Sequence, residues 1–223
     1  MKKLIKHQAS ESFLLALLLA FVGGYLEAYT FFCRGEVFAN AQTGNILFIG
    51  LNIGQGQYEK ALTYVFPVLA FMVGVLIAES IRKHYQYRDS FIHWRQIIVL
   101  FEIFIMIVVA FIPMGIMDSV VNVAISFICS LQVESFRKVN GNAYASTMCT
   151  GNLRSGTEYL YKAIFNQDKI AKKHATQYFM IIILFVIGAI ISMYLTLQLY
   201  EKSILVSAVI LLGGFLMMFI QHQ

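Results

Sequence analysis

Six long apolar runs, Phe13–Cys33, Ala61–Ile81, Gln96–Met117, Ser119–Phe136, Gln177–Leu199 and Ser203–Ile220, are separated by polar stretches along this chain. A helix of about 20 residues rises far enough, at 1.5 Å per residue, to cross a hydrocarbon layer of about 30 Å. Each run therefore predicts a membrane-spanning helix. Two further segments break the pattern. Phe38–Gly54 holds Asn40, Gln42, Thr43, Asn45 and Asn52 between the first two runs, and Ala143–Lys162 holds Ser146, Thr147, Arg154, Ser155 and Glu158 between the fourth and fifth. Both are too polar to face lipid along their length.

The two polar segments share a tripeptide, Thr43-Gly44-Asn45 and Thr150-Gly151-Asn152, at an offset of 107 residues. Other positions keep that register: Leu26, Glu27 and Tyr29 fall on Val133, Glu134 and Phe136. Further on, at an offset of 114, Phe71-Met72-Val73-Gly74 falls on Phe185-Val186-Ile187-Gly188. Ordered matches of this kind indicate internal duplication, with repeats at about 8–117 and 118–223 inside a single membrane domain, 1–223.

Composition agrees with the pattern. The chain is 59% hydrophobic and 13% charged, against roughly 25% charged for a soluble domain. The fold class is all-α, a polytopic helical membrane protein in contact with the lipid bilayer. Lys2, Lys3 and Lys6 before the first apolar run resemble the start of a signal peptide. No convincing small-x-small cleavage site follows and the segment aligns with the fourth run, so it is expected to be retained as a span.

Charge decides whether the polar segments cross. If each enters and leaves on one side, six spans result and both termini lie in the cytoplasm. The cytoplasmic regions then hold 14 Lys and Arg residues, and the outside keeps 3, namely Arg34, Lys60 and Lys202. If both segments cross, eight spans give a best split of about 9 to 8. A marked cytoplasmic excess near span ends is the rule, which favours six. Three spans per repeat place the second copy upside down, so the expected architecture is 3+3 inverted repeats with two Gly-broken re-entrant segments dipping in from opposite faces.

Duplicated membrane segments with a broken polar element in each half are a common way to build a transport site. Gly permits the turn, a Thr hydroxyl can cap a helix start, and Asn offers both donor and acceptor. Half-helix N-termini near the midplane favour an anionic or strongly polar group. The candidate substrate-binding residues are Thr43, Gly44, Asn45, Thr150, Gly151 and Asn152, with Asn40 and Gln132 beside them. The alternative is that they only satisfy the backbone of a kinked helix pair.

Gly24-Tyr25-Leu26-Glu27-Ala28-Tyr29 and Val37-Phe38-Ala39-Asn40-Ala41-Gln42-Thr43-Gly44-Asn45, with Leu131-Gln132 and Thr150-Gly151-Asn152 in the second half, resemble the YoaK-like family of small bacterial integral membrane proteins. The resemblance covers essentially the whole chain. It implies a bacterial inner-membrane location and supports the span layout, but it brings no substrate and no catalytic residue. Where this chain has Glu27 the family's first motif usually has Asp, so the acid is kept but lengthened.

Ionisable groups inside a membrane are costly and often functional. Glu27 and Glu134, at matching places near opposite faces, are the candidates for proton or ion coupling; the alternative places both at the headgroup boundary, with Glu134 beside Arg137. Glu102 and Glu79 are expected to be paired near the interface, Glu79 with Arg82 or Lys83. Cys33, Cys129 and Cys149 lack metal-ligand spacing, and the five histidines fall in terminal or connecting stretches, so no metal is expected. No nucleophile motif, Walker loop or cofactor motif is present, and neither catalytic residues nor a cofactor are assigned. The net charge of +5 follows from the positive-inside loops and does not argue for nucleic acid. Ser155–Thr176 reads as an interfacial helix on the cytoplasmic leaflet or a plain connection.

The leading expectation is a secondary transporter or channel-like carrier of a small polar or anionic solute. The alternative is a non-transporting scaffold or assembly partner, and an intramembrane enzyme comes third. Oligomerisation, solute and coupling ion are left open.

Overall fold

A computed structural model describes residues 12–85, 93–139, 142–144 and 146–220. Within them lie eight α-helices: α1 (Phe13–Cys33), α2 (Gln42–Gly54), α3 (Tyr58–Tyr85), α4 (Trp94–Val109), α5 (Asp118–Ser135), α6 (Cys149–Phe165), α7 (Lys169–Leu199) and α8 (Ile204–Ile220). Strand β1 (Lys138–Val139) pairs antiparallel with β2 (Asn142–Ala143), and a 3-10 turn, Tyr200–Ser203, joins α7 to α8.

Several helix starts follow from local chemistry. Ser12 caps α1, its hydroxyl accepting from the Leu15 amide at 3.3 Å. His93 and Gln96 form a reciprocal capping box at α4. Asp168 accepts from the amides of Ile170 and Ala171 at 2.8 and 3.1 Å, which breaks Ser155–Thr176 into the end of α6 and the start of α7. That segment is therefore not one interfacial helix. The helices also outrun the apolar runs, so His84 and His174 sit on α3 and α7 rather than in loops.

The apolar run Gln96–Met117 is shorter as a helix than as a pattern. Helix α4 stops at Val109, and the carbonyls of Ile112 and Pro113 accept from Arg34 at 2.9 and 3.2 Å. Proline has no amide to continue a helix, and Gly115 takes φ 113°, which turns the chain into α5. Arg34 is wholly buried. It pairs with Asp118 at 2.9 Å and donates to the Tyr29 hydroxyl through Nε and Nη2 at 3.0 and 2.8 Å. Its backbone carbonyl accepts from Asn122 at 2.6 Å. All the guanidinium donors are thereby engaged, as burial of a charge requires.

Helix α1 packs on α7, and α3 packs on α5. Likewise α2 lies on α3 and α6 on α7, while α1 meets α8 and α4 meets α5. Each of these pairings turns into another when α1–α4 are exchanged for α5–α8, and the α4–α8 contact turns into itself. Glycine sets the closeness of two of the contacts. A Cβ on Gly24 would strike the Phe185 backbone of α7, and one on Gly188 the Phe21 backbone of α1. Gly74 of α3 meets the Ser130 hydroxyl and Phe127 carbonyl of α5 in the same way.

Three helical stretches are long and apolar enough to cross a membrane: Phe13–Cys33, Tyr58–Tyr85 and Lys169–Phe219, the last running through the 3-10 turn. Large side chains such as Leu69, Met72 and Leu76 of α3 and Ile183, Val186 and Ile190 of α7 are exposed on the outside of the molecule. Without lipid such faces would be insoluble; they are the lipid-contacting surface.

Candidate functional site

The amino-terminal ends of α2 and α6 open onto one cavity of about 650 Å³. This lies within the roughly 300–1,000 Å³ that small-molecule sites occupy. Phe71 from α3, Phe185 from α7, Phe38 and Tyr144 give it aromatic walls. Its polar lining comes from Glu27, Asn40, Gln42, Thr43, Thr147, Thr150, Asn152 and Ser155, and no Lys or Arg is among the described lining residues.

On the first half, Glu27 organises the approach to α2. Its carboxylate accepts from the backbone amides of Asn40 and Ala41, at 2.7 and 3.1 Å. Asn40 in turn donates through Nδ2 to the Gly23 carbonyl at 3.2 Å. A carboxylate from a neighbouring helix thus holds the two residues that lead into α2. Thr43 does not cap: it lies inside α2, behind Ala41, which makes no side-chain cap. Asn45 is fully buried and ties down the incoming chain, donating to the Phe38 carbonyl at 2.8 Å and accepting from the Phe38 amide at 3.0 Å. Its Nδ2 also donates to Gln42 at 2.9 Å. Gly44 leaves room for the Phe38 ring, which a Cβ would strike.

The second half starts its helix in the same way but places its acid and its glycine differently. Helix α6 starts after Met148 with no side-chain cap, and Thr150 lies inside it. Glu134, the counterpart of Glu27, turns away to an ion-pair network with Arg137 at 2.8 Å and Arg82 at 3.9 Å. Glu79 completes that network, pairing with Arg82 at 2.8 Å and Arg137 at 3.2 Å. Gly151 has open space where a Cβ would go.

Of the residues singled out from the sequence, Thr43, Thr150, Gly151, Asn152, Asn40 and Glu27 line the cavity. Gly44, Asn45, Gln132 and Glu134 stand outside its lining. Gln132 donates to the Ser146 hydroxyl at 3.1 Å and the Leu19 carbonyl at 3.4 Å, holding the chain that leads into α6. Phe71 and Phe185 were not picked out as site residues, although their alignment at the offset of 114 was the available signal. Glu102 is fully buried rather than paired near an interface, and its Oε1 has no hydrogen-bond partner. Cys33 and Cys129 are buried, whereas Cys149 is half-buried and lines the cavity. Among the described residues no group of three His, Cys, Asp or Glu side chains could hold a metal ion.

Fold and cavity together define a helical transmembrane protein with a cavity between two like segments. Its family can be stated: residues 15–217 match the family described as Protein of unknown function (DUF1275), and the chain belongs to it. It is also 24% identical over 200 residues to the UPF0700 transmembrane protein YoaK of Bacillus subtilis (strain 168), covering 88% of this chain and 89% of that protein. No solved structure matches the chain.

Proposed function

We propose that this protein is a small secondary transporter or channel-like carrier of a polar solute in the bacterial inner membrane. The observation that carries the reading is the single cavity to which both Thr-Gly-Asn segments contribute, Thr43 from one and Thr150, Gly151 and Asn152 from the other. A purely structural duplication needs no shared cavity with exposed threonines. In this reading the helices form six spans in 3+3 inverted repeats, with both termini in the cytoplasm and α2 and α6 as the re-entrant segments. Three points support it: the 14-to-3 split of Lys and Arg, the exchange symmetry of the helix pairings, and the 13-residue length of α2, about 20 Å, too short to span. Glu27 is the carboxylate placed to couple movement of the solute to a proton, because Glu134 is held by Arg82 and Arg137.

Flux of a broad metabolite panel in proteoliposomes tests the reading. Thr43→Val and Thr150→Val should lower flux at an unchanged amount of folded protein, since both side chains are exposed and line the cavity. Flux that ignores both changes, or no flux of any solute, would overturn the carrier assignment. The layout has its own test: a cysteine at Lys83 should be shielded from an outside thiol reagent and one at Lys202 should be reached, whereas labelling at 83 from outside would sink the six-span arrangement.

A further inference from the structure

The two ends of the cavity differ in electrostatic sign, and this difference narrows the class of solute. A helix N-terminus carries roughly half a positive charge from its unpaired amides. At α2 that half charge meets the Glu27 carboxyl, whose two oxygens already hold the Asn40 and Ala41 amides, contacts that favour its ionised form. With Glu27 ionised, the α2 end has a net negative character of roughly half a charge. At α6 no side chain caps the helix, and Glu134 is engaged elsewhere. That end keeps the roughly half positive charge of its helix terminus.

Orphaned polar atoms mark both ends. Asn40, 1% exposed, has an Oδ1 with no partner, and Thr147, 4% exposed, has an Oγ1 with no partner. Both residues line the cavity. They are also counterparts in the duplication, 107 positions apart. A buried polar atom without a partner costs about 1–3 kcal/mol, and these two stand at equivalent places on residues that line the cavity. An amide oxygen can only accept, so it asks for a donor such as an ammonium group. A hydroxyl can donate, and beside open helix amides it suits a carboxylate.

We infer that the solute is a small zwitterion, with its ammonium group toward Glu27 and Asn40 and its carboxylate toward Thr147 and the first turn of α6. The aromatic walls from Phe71, Phe185 and Tyr144 would take its carbon skeleton and add attraction to the ammonium group. This inference rests on the carrier reading above and sharpens it from a polar solute to a dipolar one.

The test uses the purified full chain in lipid nanodiscs, with thermal unfolding and counterflow measured for the twenty standard amino acids and small betaines. For each zwitterion that stabilises the protein, its amino amide and its N-acetyl acid are compared on wild type. Both single-charge derivatives should bind at least tenfold more weakly than the parent. Thr147→Val should weaken the zwitterion while leaving the amino amide unchanged, and Glu27→Asp should retain binding that Glu27→Gln loses. Because the derivative series is measured on wild type, a variant that fails to fold does not blunt it. Equal binding of the amide or of the N-acetyl acid would overturn the dipolar assignment and leave the carrier standing. So would flux confined to singly charged or neutral solutes. Absence of binding and flux for every solute, charged or not, would remove both.

Discussion

The first and second halves of this chain carry the same tripeptide in different surroundings: Gly44 abuts the Phe38 ring, whereas Gly151 has open space. In the first, Asn45 and Gly44 serve the backbone: the amide binds Phe38 on both of its polar groups, and the glycine makes room for the Phe38 ring. In the second, Gly151 and the buried Asn152 line a cavity, and the helix start at Met148, like that at Ala41, has no side-chain cap. The acids diverge in parallel, Glu27 turning inward to hold the chain entering α2 and Glu134 outward to two arginines. Matched positions thus carry unlike contacts: one acid holds the chain entering α2, and its counterpart pairs with arginines.

The largest difference between halves should appear at the arginines. Arg34→Ala removes a wholly buried, fully engaged guanidinium and strands Asp118, so stability should fall by about 3–5 kcal/mol. Arg137→Ala touches a network whose members are 14–44% exposed and should cost about 1 kcal/mol or less. Denaturant unfolding in detergent compares them, and equal losses would mean that the buried network does not brace the first half.

Next come the acids and Asn45. Glu27→Gln leaves one of two amides without an acceptor, and Asn45→Ala frees both polar groups of Phe38; each should lose about 1–3 kcal/mol. Glu134→Gln should lose about 1 kcal/mol or less, its partners being half-exposed. A larger loss at Glu134 than at Glu27 would reverse the assignment of the acid that braces its half.

The glycines give the smallest expected effect. Gly44→Ala forces the Phe38 ring, which is stacked between Phe31 and Phe48, and should cost near the low end of roughly 1–3 kcal/mol. Gly151→Ala meets open space within a helix and should be neutral or raise stability by up to about 1 kcal/mol. Thermal unfolding that ranks the two the other way would show that the halves are not divided as described.

Much of this arrangement was legible in the residues. The long helices follow from apolar runs, because lipid leaves little choice but to pair the backbone internally. The tripeptide pair and the Phe-x-x-Gly pair pointed to the segments that meet, and Phe71 and Phe185 do reach the cavity. What periodicity could not reveal was direction. Glu27 and Glu134 occupy matching positions, but which one bends toward a helix start depends on the chain leading into α2 or α6. The threonines looked like caps by residue type, yet the acceptor that holds the chain entering α2 comes from α1, across a sequence gap that no local rule bridges. Arg34 read as a stray outside charge because the carbonyls it binds belong to a turn inside an apolar run.

Cys149 provides the most direct measurement, since it is half-buried in the cavity lining while Cys33 and Cys129 are buried. A small water-soluble thiol reagent should modify Cys149 in the native protein, and solutes that stabilise the protein should slow that modification. Proteoliposomes carrying the modified protein should then lose counterflow of those solutes, while Cys149→Ser retains it and resists the reagent. Full flux with Cys149 modified, as verified by mass spectrometry, would contradict the claim that solute passes between the two Thr-Gly-Asn segments.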